Sequence, residues 1–212
     1  SISANEIAFA AEKIAAASRP VIIAGLGVVN AGAKQACIEL AEQSGALLAT
    51  TLPAKGLFHD QPFCLGVAGG YASDKAKAIF AKSDLVIGIG ARLASHSFEG
   101  GQLTPNAFVV HLDVAPQTYV QGRHAADLLI KADAKYGANA LSAVLDRKTG
   151  WRTPTMQQVT SDALVLPDDR ITPDGLLHPM AVIRQLADTI PATCHIVNTS
   201  GHCAYYTAQM LS

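Results

Sequence analysis

Apolar positions follow two alternating patterns over residues 1–150 of the chain. Helical spacing in Asn5–Ala17 places Ile7, Ala10, Ala11 and Ile14 on one face, which predicts an amphipathic helix. Continuous apolar runs rich in β-branched residues lie between such helices, as expected for strands that are buried on both faces. The runs are Val21–Gly25, Ala46–Thr51, Leu65–Ala68, Asp84–Gly90, Phe108–Asp113 and Leu128–Lys131, and further helices are predicted at Ala31–Ser44, Ser73–Ala81 and Asp133–Leu145.

This alternation predicts an α/β fold, a Rossmann-like, doubly wound sheet of about six parallel strands with helices on both faces. In an open sheet of this kind, ligands bind at the carboxyl ends of the strands, near the point where the strand order reverses. The loops that follow the strands are therefore the first candidates for a binding site.

The composition changes after residue 146. Residues 147–170 lack clean periodicity and are interrupted by glycine and proline, which indicates a linker. Residues 171–212 contain two helical patterns with a strand end at His195–Asn198 between them, but roughly 40 residues seldom fold alone. We expect a domain at 1–146, a linker at 147–170 and an incomplete second unit at 171–212.

Charge and composition exclude several classes of function. The 212 residues include 16 Lys+Arg and 17 Asp+Glu, a net charge of −1, whereas a nucleic-acid-binding face is strongly basic. No apolar run approaches the roughly 18 residues of a transmembrane helix, and the first residues lack a signal-peptide pattern. The four cysteines are scattered, as in a reducing compartment. We expect a cytoplasmic protein without a nucleic-acid or membrane partner.

Glycines follow the first strand, where Gly25 and Gly27 have two interpretations. They let the backbone approach an anionic ligand, or they form a tight turn that packs helix on strand. The dinucleotide fingerprint G-x-G-x-x-G is incomplete because Asn30 stands at its sixth place. Thr50 and Thr51 end the second strand, where an NAD site has an acidic residue, so standard NAD binding is disfavoured.

Two charged residues end later strands. Arg92 follows the run DLVIGIG and either clamps a phosphate or stacks on an aromatic ring, or pairs with Glu99 or a neighbouring domain. Asp113 ends FVVHLD and either accepts hydrogen bonds from a ribose or adenine or caps the next turn. Both interpretations of each residue remain open at this point.

Residue spacing indicates no catalytic or metal-binding set. His111 lies inside an apolar strand and is expected to donate to a neighbouring carbonyl. Cys203 follows His202 and is either a thiol nucleophile or a small packed side chain. The chain has no nucleophile elbow, no H-E-x-x-H and no paired carboxylates. We expect no catalytic residue and no metal ligand in this chain.

The order of several motifs resembles a known family. RPVIIAGLGV, NAGA, LLATTLPAKGLFHDQPFCLGVAGG, SDLVIGIGARL, FVVHLDVAP and LLIKAD follow one another as in the central domain of thiamine-diphosphate-dependent enzymes. These are the acetolactate synthase, pyruvate oxidase and benzoylformate decarboxylase group. The resemblance covers residues 1–145, and the tail from Ile171, with IVNTSGHCAYYTAQML, is similar to the opening of their pyrophosphate-binding domain.

The resemblance implies a parent enzyme that uses thiamine diphosphate and Mg²⁺. Such an enzyme decarboxylates a 2-oxo acid or joins the resulting carbanion equivalent to a carbonyl, with the cofactor as electron sink. In the family, the activating glutamate belongs to an N-terminal pyrimidine-binding domain, and the metal motif Gly-Asp-Gly to the C-terminal pyrophosphate-binding domain. Neither is found here, so we expect a fragment of a homo-oligomeric enzyme that is not catalytic alone and does not bind thiamine diphosphate alone.

The resemblance also implies a nucleotide site in some relatives. The family's central domain binds FAD in some members, ADP in one branch and nothing in others. The matching positions here are Gly25, Gly27, Thr50, Thr51, Gly66, Gly69, Arg92 and Asp113. After Arg92, Leu93-Ala94-Ser95-His96 replaces the aromatic and acidic residues usual in acetolactate synthases. The isolated chain is thus expected to act as a structural domain, with a self-standing FAD- or ADP-binding module as the alternative.

Overall fold

The computed structural model describes residues 2–164, 172, 174–191, 193–197 and 199–210. The chain forms two compact units, Ser1–Leu164 (unit 1) and Val165–Ser212 (unit 2). Residues 165–171, Asn198 and the thiol of Cys203 lie outside the described residues, and so do the predictions that concern them.

Unit 1 alternates helices and strands in the predicted order. Its helices are α1 (Ala4–Ala16), α2 (Leu26–Asn30), α3 (Lys34–Ser44), α4 (Asp74–Phe80), α5 (Ser95–Phe98), α6 (Ala134–Ser142) and α7 (Pro154–Leu164). Its strands are β1 (Pro20–Ala24), β2 (Leu47–Thr50), β3 (Cys64–Val67), β4 (Leu85–Ile89), β5 (Phe108–Asp113), β6 (Tyr119–Val120), β7 (Arg123–His124) and β8 (Leu128–Lys131).

Six of these strands form one parallel sheet in the order β3-β2-β1-β4-β5-β8, which confirms the predicted doubly wound, Rossmann-like fold. The order runs outward from β1 in one direction through β2 and in the other through β4. The switch point of the sheet therefore lies between β1 and β4, where a crevice opens beyond the carboxyl ends of the strands.

The sheet separates two apolar cores. Alternate residues of a strand point to opposite faces. Accordingly Ile22 packs in the core that includes α1, α3 and α6, whereas Val21 and Ile23 pack in the core that includes α4 and Trp151. Because both faces are covered, β1 and β4 are buried at every position, as their continuous apolar runs predict.

The part of the predicted linker that extends to residue 164 belongs to unit 1. Residues 146–153, here called the return segment, run back to the end of α3. The N–H groups of Lys148 and Trp151 donate to the carbonyls of Gln43 and Gly45 at 3.0 and 2.9 Å. The buried side chain of Trp151 anchors the return segment in this position. The charges and prolines of residues 147–170 had instead suggested a linker. The helix α7 follows the return segment.

Several small elements were not predicted from the sequence. They are α2, α5 and the two-residue strands β6 and β7, which pair antiparallel as a hairpin. Each is too short to carry a periodic pattern. Two of the longer helices are capped by residues at which the predicted helices begin, since Ser73 and Asp133 accept backbone N–H groups at the starts of α4 and α6.

Unit 2 contains the helices α8 (Pro179–Thr189) and α9 (His202–Met210). His178 caps α8 by accepting the N–H of Met180 on its ring at 3.1 Å. The strand end predicted at His195–Asn198 is wrong for its described residues, which have no strand conformation, and Val197 is 94% exposed. A parallel strand needs a hydrogen-bonded neighbour, and the described part of unit 2 contains no other strand that could supply one.

Candidate functional site

The carboxyl ends of the strands surround a pocket of about 690 Å³. This volume lies within the range of small-molecule sites. The loops after β1 to β5 supply its lining residues, which are Leu26, Thr51, Leu52, Pro53, Ala68, Tyr71, Gly90, Arg92, Ala94, His96, Ser97, His111, Asp113, Ala115 and Gln117. Of the eight candidate binding residues identified in the sequence, Thr51, Arg92 and Asp113 line this pocket.

Gly25 and Gly27 do not line the pocket but pack against the loop after β4. A Cβ atom on Gly25 would lie 2.1 Å from the carbonyl oxygen of Gly90, and one on Gly27 would lie 2.7 Å from the Cα of Gly90. Their N–H groups donate to the carbonyls of Ile89 and Gly90 at 2.9 and 3.0 Å. These two N–H groups are therefore not available to a phosphate, and the geometry is that of the tight-turn interpretation.

Thr50, Gly66 and Gly69 also lie behind the pocket wall. Thr50 is buried, and its carbonyl accepts the N–H of Ala68 at 2.8 Å. Gly66 has a φ of +74° where the register of β3 against β2 shifts, as in a β-bulge. Gly69 has a φ of +82°, and a Cβ there would lie 2.0 Å from the carbonyl oxygen of His96. The glycine thus lets its turn pack directly on α5.

Arg92 is the cation of this pocket. Its side chain is exposed and has no hydrogen bond or ion pair with any residue in the described part of the chain. Glu99, the partner considered for it in the sequence, instead pairs with Lys77 at 2.8 Å. Pairing with Glu99 is thereby excluded, whereas the ligand-binding interpretation of Arg92 stays a prediction.

Asp113 and His111 shape the opposite side of the pocket. Asp113 caps its turn, because its Oδ1 accepts the N–H of Ala115 at 2.9 Å. His111 is buried, and its Nε2 lies 2.9 Å from the carbonyl oxygen of Ala91, which confirms the predicted bond to a neighbouring carbonyl. With Nε2–H as donor, Nδ1 accepts the N–H of Gln117 at 3.3 Å. The ring thereby holds the loop after β5 in place.

The β6–β7 hairpin holds the α5 wall of the pocket. The side-chain oxygen of Gln121 accepts both the N–H and the hydroxyl of Ser95, at 2.8 and 2.6 Å. Arg123 donates to the carbonyl of Leu93, and its guanidinium carbon lies 5.5 Å from the centre of the Phe98 ring. These contacts place His96 and Ser97 at the pocket.

Sequence reasoning missed four polar or aromatic residues of the pocket and the contacts that hold them there. Tyr71, His96, Ser97 and Gln117 lie in turns and short helices whose position depends on contacts distant in sequence. The one available signal was position, since each of them follows a predicted strand within about ten residues and ligands bind at that edge of a parallel sheet.

The described residues offer no group of three or more His, Cys, Asp or Glu that could hold a metal ion. Burial raises the pKa of Cys37 to about 12 and also raises the pKa of Cys64, so neither thiol is a ready nucleophile. The pocket combines the arginine Arg92, which has no partner in the described part of the chain, with the carboxylate of Asp113 and two histidines, His96 and His111. This set suits binding of an anionic molecule and contains no nucleophile paired with a base. No helix of the described part is long and apolar enough to span a membrane.

Comparison with known proteins places these observations in a family. The model of the thiamine pyrophosphate enzyme central domain matches residues 7–144, which include every strand of the main sheet. Thiamine pyrophosphate is another name for thiamine diphosphate.

Full-length relatives carry similar stretches. An acetolactate synthase of Mycobacterium avium is 32% identical over 95% of this chain and 34% of its own length. A probable acetolactate synthase large subunit of Methanocaldococcus jannaschii is 35% identical over 66% of this chain and 24% of its own. A probable 2-ketoarginine decarboxylase of Pseudomonas aeruginosa is 28% identical over 92% of this chain and 34% of its own. The chain thus spans about a third or less of these relatives, and it belongs to the thiamine pyrophosphate enzymes as their central domain.

Proposed function

We propose that this chain is the central domain of a thiamine-diphosphate-dependent enzyme that acts on a 2-oxo acid. The enzyme decarboxylates that acid or joins the resulting carbanion equivalent to a second carbonyl, as an acetolactate synthase does. The observation that carries the proposal is the family match over residues 7–144 together with relatives named as synthases and as a decarboxylase.

The cofactor does not fit the residues described here. Thiamine diphosphate supplies an electron sink and is held with Mg²⁺, but the described residues contain no ligand set for a metal ion. We propose that pyrimidine-binding and pyrophosphate-binding domains supply these groups within a homo-oligomer. The free thiols of Cys37, Cys64 and Cys194 are consistent with assembly in the cytoplasm.

In such an assembly, the task of unit 1 is mechanical. Its sheet is covered on both faces and buried at every position of β1 and β4, which makes it a rigid spacer for the domains that hold the cofactor. This role needs no reacting group in the chain itself.

Turnover measurements test whether the chain is a structural domain and other domains supply the cofactor-binding groups. The chain alone, with pyruvate, thiamine diphosphate and Mg²⁺, is expected to release no CO₂ and to form no acetolactate, as followed by NMR of ¹³C-labelled pyruvate. The same chain covalently joined to pyrimidine-binding and pyrophosphate-binding domains of a related synthase is expected to turn over. Turnover by the chain alone, or none by an assembled and folded fusion, contradicts the proposal.

A second role is favoured by the free Arg92 at the edge of the pocket. We propose that the pocket binds the ADP group that free ADP and FAD share. Arg92 meets the diphosphate, and Asp113, which lines the pocket, accepts from a ribose hydroxyl or the adenine amino group. Since the N–H groups of Gly25 and Gly27 are already bonded, Arg92 is the principal contact for the anion.

Calorimetric titration with ADP and with FAD tests this role. We expect saturable binding, and at one hundred times Kd a stabilisation of about 2.7 kcal/mol. Arg92→Gln is expected to weaken binding at least tenfold, whereas Arg19→Gln, the removal of another exposed arginine, leaves it unchanged. FAD binding more tightly than ADP would show that the pocket also contacts the flavin half. Binding that is absent for both, or indifferent to Arg92→Gln, rejects the role.

A further inference from the structure

A second pocket lies at the amino ends of the strands, at the opposite edge of the sheet. It has a volume of about 400 Å³ and is lined by Glu42, Phe63, Arg147, Lys148, Thr149 and Arg152. Four of these residues belong to the return segment, which reaches this edge because Gly45 and Gly150 allow their backbones to touch. A Cβ on Gly45 would lie 2.6 Å from the Cα of Gly150.

The charges around this pocket are unbalanced. Three cations, Arg147, Lys148 and Arg152, share the lining with a single carboxylate, Glu42. Arg147 approaches Glu42 only loosely, at 3.6 Å, and its side chain is 71% exposed. Lys148 donates to three carbonyls at the end of α1, those of Ile14, Ala15 and Ala17. Its donors are therefore used, while its positive charge still acts on the pocket.

Arg152 has a donor without an acceptor. The guanidinium carbon lies 4.7 Å from the centre of the Phe63 ring, within the range of a cation–π contact. The Nη1 atom is buried and has no hydrogen-bond partner among the described residues. Buried polar atoms in native proteins are nearly always satisfied.

Electrostatics around Arg152 agree with this geometry. Burial lowers the pKa of Arg152, Glu42 opposes that shift, and Arg147 adds to it. The pKa of Arg152 is therefore lowered although Glu42 is present, so the one carboxylate does not fully compensate the desolvation of this half-buried cation. A further negative group in the pocket would complete the set.

We propose that Arg147 and Arg152 bind the phosphoryl group of a small molecule at the amino edge of the sheet. Guanidinium groups bind phosphate through paired N–H donors. Three cations against one carboxylate leave two positive charges, which match a phosphate that carries close to two negative charges at neutral pH better than a singly charged carboxylate. The inference does not rest on the proposed function.

Titration with inorganic phosphate and with acetate, at constant ionic strength and on the full chain, tests the site. Isothermal calorimetry is expected to show saturable phosphate binding at least tenfold tighter than acetate binding. Arg147→Gln, at an exposed side chain that the fold does not need, and Arg152→Gln are each expected to weaken phosphate binding at least tenfold. Lys135→Gln, at an exposed lysine that lines neither pocket, is expected to leave it unchanged.

Three results would overturn the proposal. Equal binding of acetate would show that charge alone attracts the anion. A binding heat that rises without saturation, equally in the variants, would be a general salt effect. Loss of phosphate binding in Arg92→Gln but not in Arg147→Gln would assign the anion to the carboxyl edge.

Discussion

The two edges of the sheet are built alike and charged differently. At each edge, two backbones touch through glycine: Gly25 meets Gly90 at the carboxyl edge, and Gly45 meets Gly150 at the amino edge. Beside each contact lies a pocket. The carboxyl-edge pocket has Arg92 as its free cation and a mostly apolar lining, whereas the amino-edge pocket is dominated by three cations.

The difference arises from where the lining residues stand in the chain. At the carboxyl edge, the loops follow directly from the strands, so the parallel topology itself brings them together. At the amino edge, the charges come from residues 147–152, which follow the last strand of the sheet and return to it. The parallel topology alone therefore predicts a pocket at the carboxyl edge. The pocket at the amino edge forms only if the return segment packs against the end of α3.

Replacement of Trp151 by Ala is the strongest test of that docking. Trp151 is 8% exposed and packs in the core that includes α4, so its loss is expected to reduce the free energy of unfolding of unit 1 by about 3–5 kcal/mol. Urea unfolding followed by circular dichroism measures it. Tyr136→Ala removes an aromatic side chain that is 62% exposed and is expected to cost less than about 0.5 kcal/mol. If the two variants were equally stable, residues 146–153 would be a linker after all.

At the carboxyl edge, Gly25→Ala is expected to cost about 3 kcal/mol. The new methyl group would meet the carbonyl oxygen of Gly90 at 2.1 Å, and both backbones would have to move. Gly32→Ala is the matched control, since it meets nothing within 4 Å and costs only the strain of its φ of +56°, about 1 kcal/mol. Equal losses in urea unfolding would mean that the two loops are not held in contact.

The smallest expected effect is that of Lys148→Met, about 1 kcal/mol. The ammonium group satisfies three carbonyls at the end of α1 and complements the negative end of the helix dipole. Burial lowers the pKa of Lys148, whereas Asp84 opposes this shift. Desolvation of the ammonium group therefore offsets part of the stability that its hydrogen bonds contribute. Lys82→Met, at an exposed lysine, is the control. Thermal unfolding that does not distinguish the two would rule out a capping role.

Local patterns were enough to predict the sheet. The bounds of β5 and β8 agree with the apolar runs, and α1 differs by one residue at each end, because burial on one or both faces dictates residue type at every position. Gly45 ends α3 with a φ of +68°, the left-handed conformation that glycine adopts most readily after a helix. These features depend on neighbours in sequence.

The site depends on contacts that no local pattern encodes. Lys148 reaches carbonyls more than 130 residues earlier in the chain, and the hairpin positions His96 through Gln121 and Arg123. Glycine after a strand indicated close approach correctly, but not what approaches: at Gly25 and Gly27 it is the loop after β4. Polar residue types at a sheet edge predict where a pocket lies better than they predict which atoms remain free in it.

The burial of Trp151 gives the protein a built-in optical probe. It is the single tryptophan of the chain, so the wavelength of its fluorescence reports one location, the junction of the return segment with the sheet. A red shift that precedes the loss of helical signal would reveal that this segment leaves before the sheet melts. Intrinsic fluorescence and circular dichroism, recorded on the unlabelled protein, therefore show which of these two events comes first.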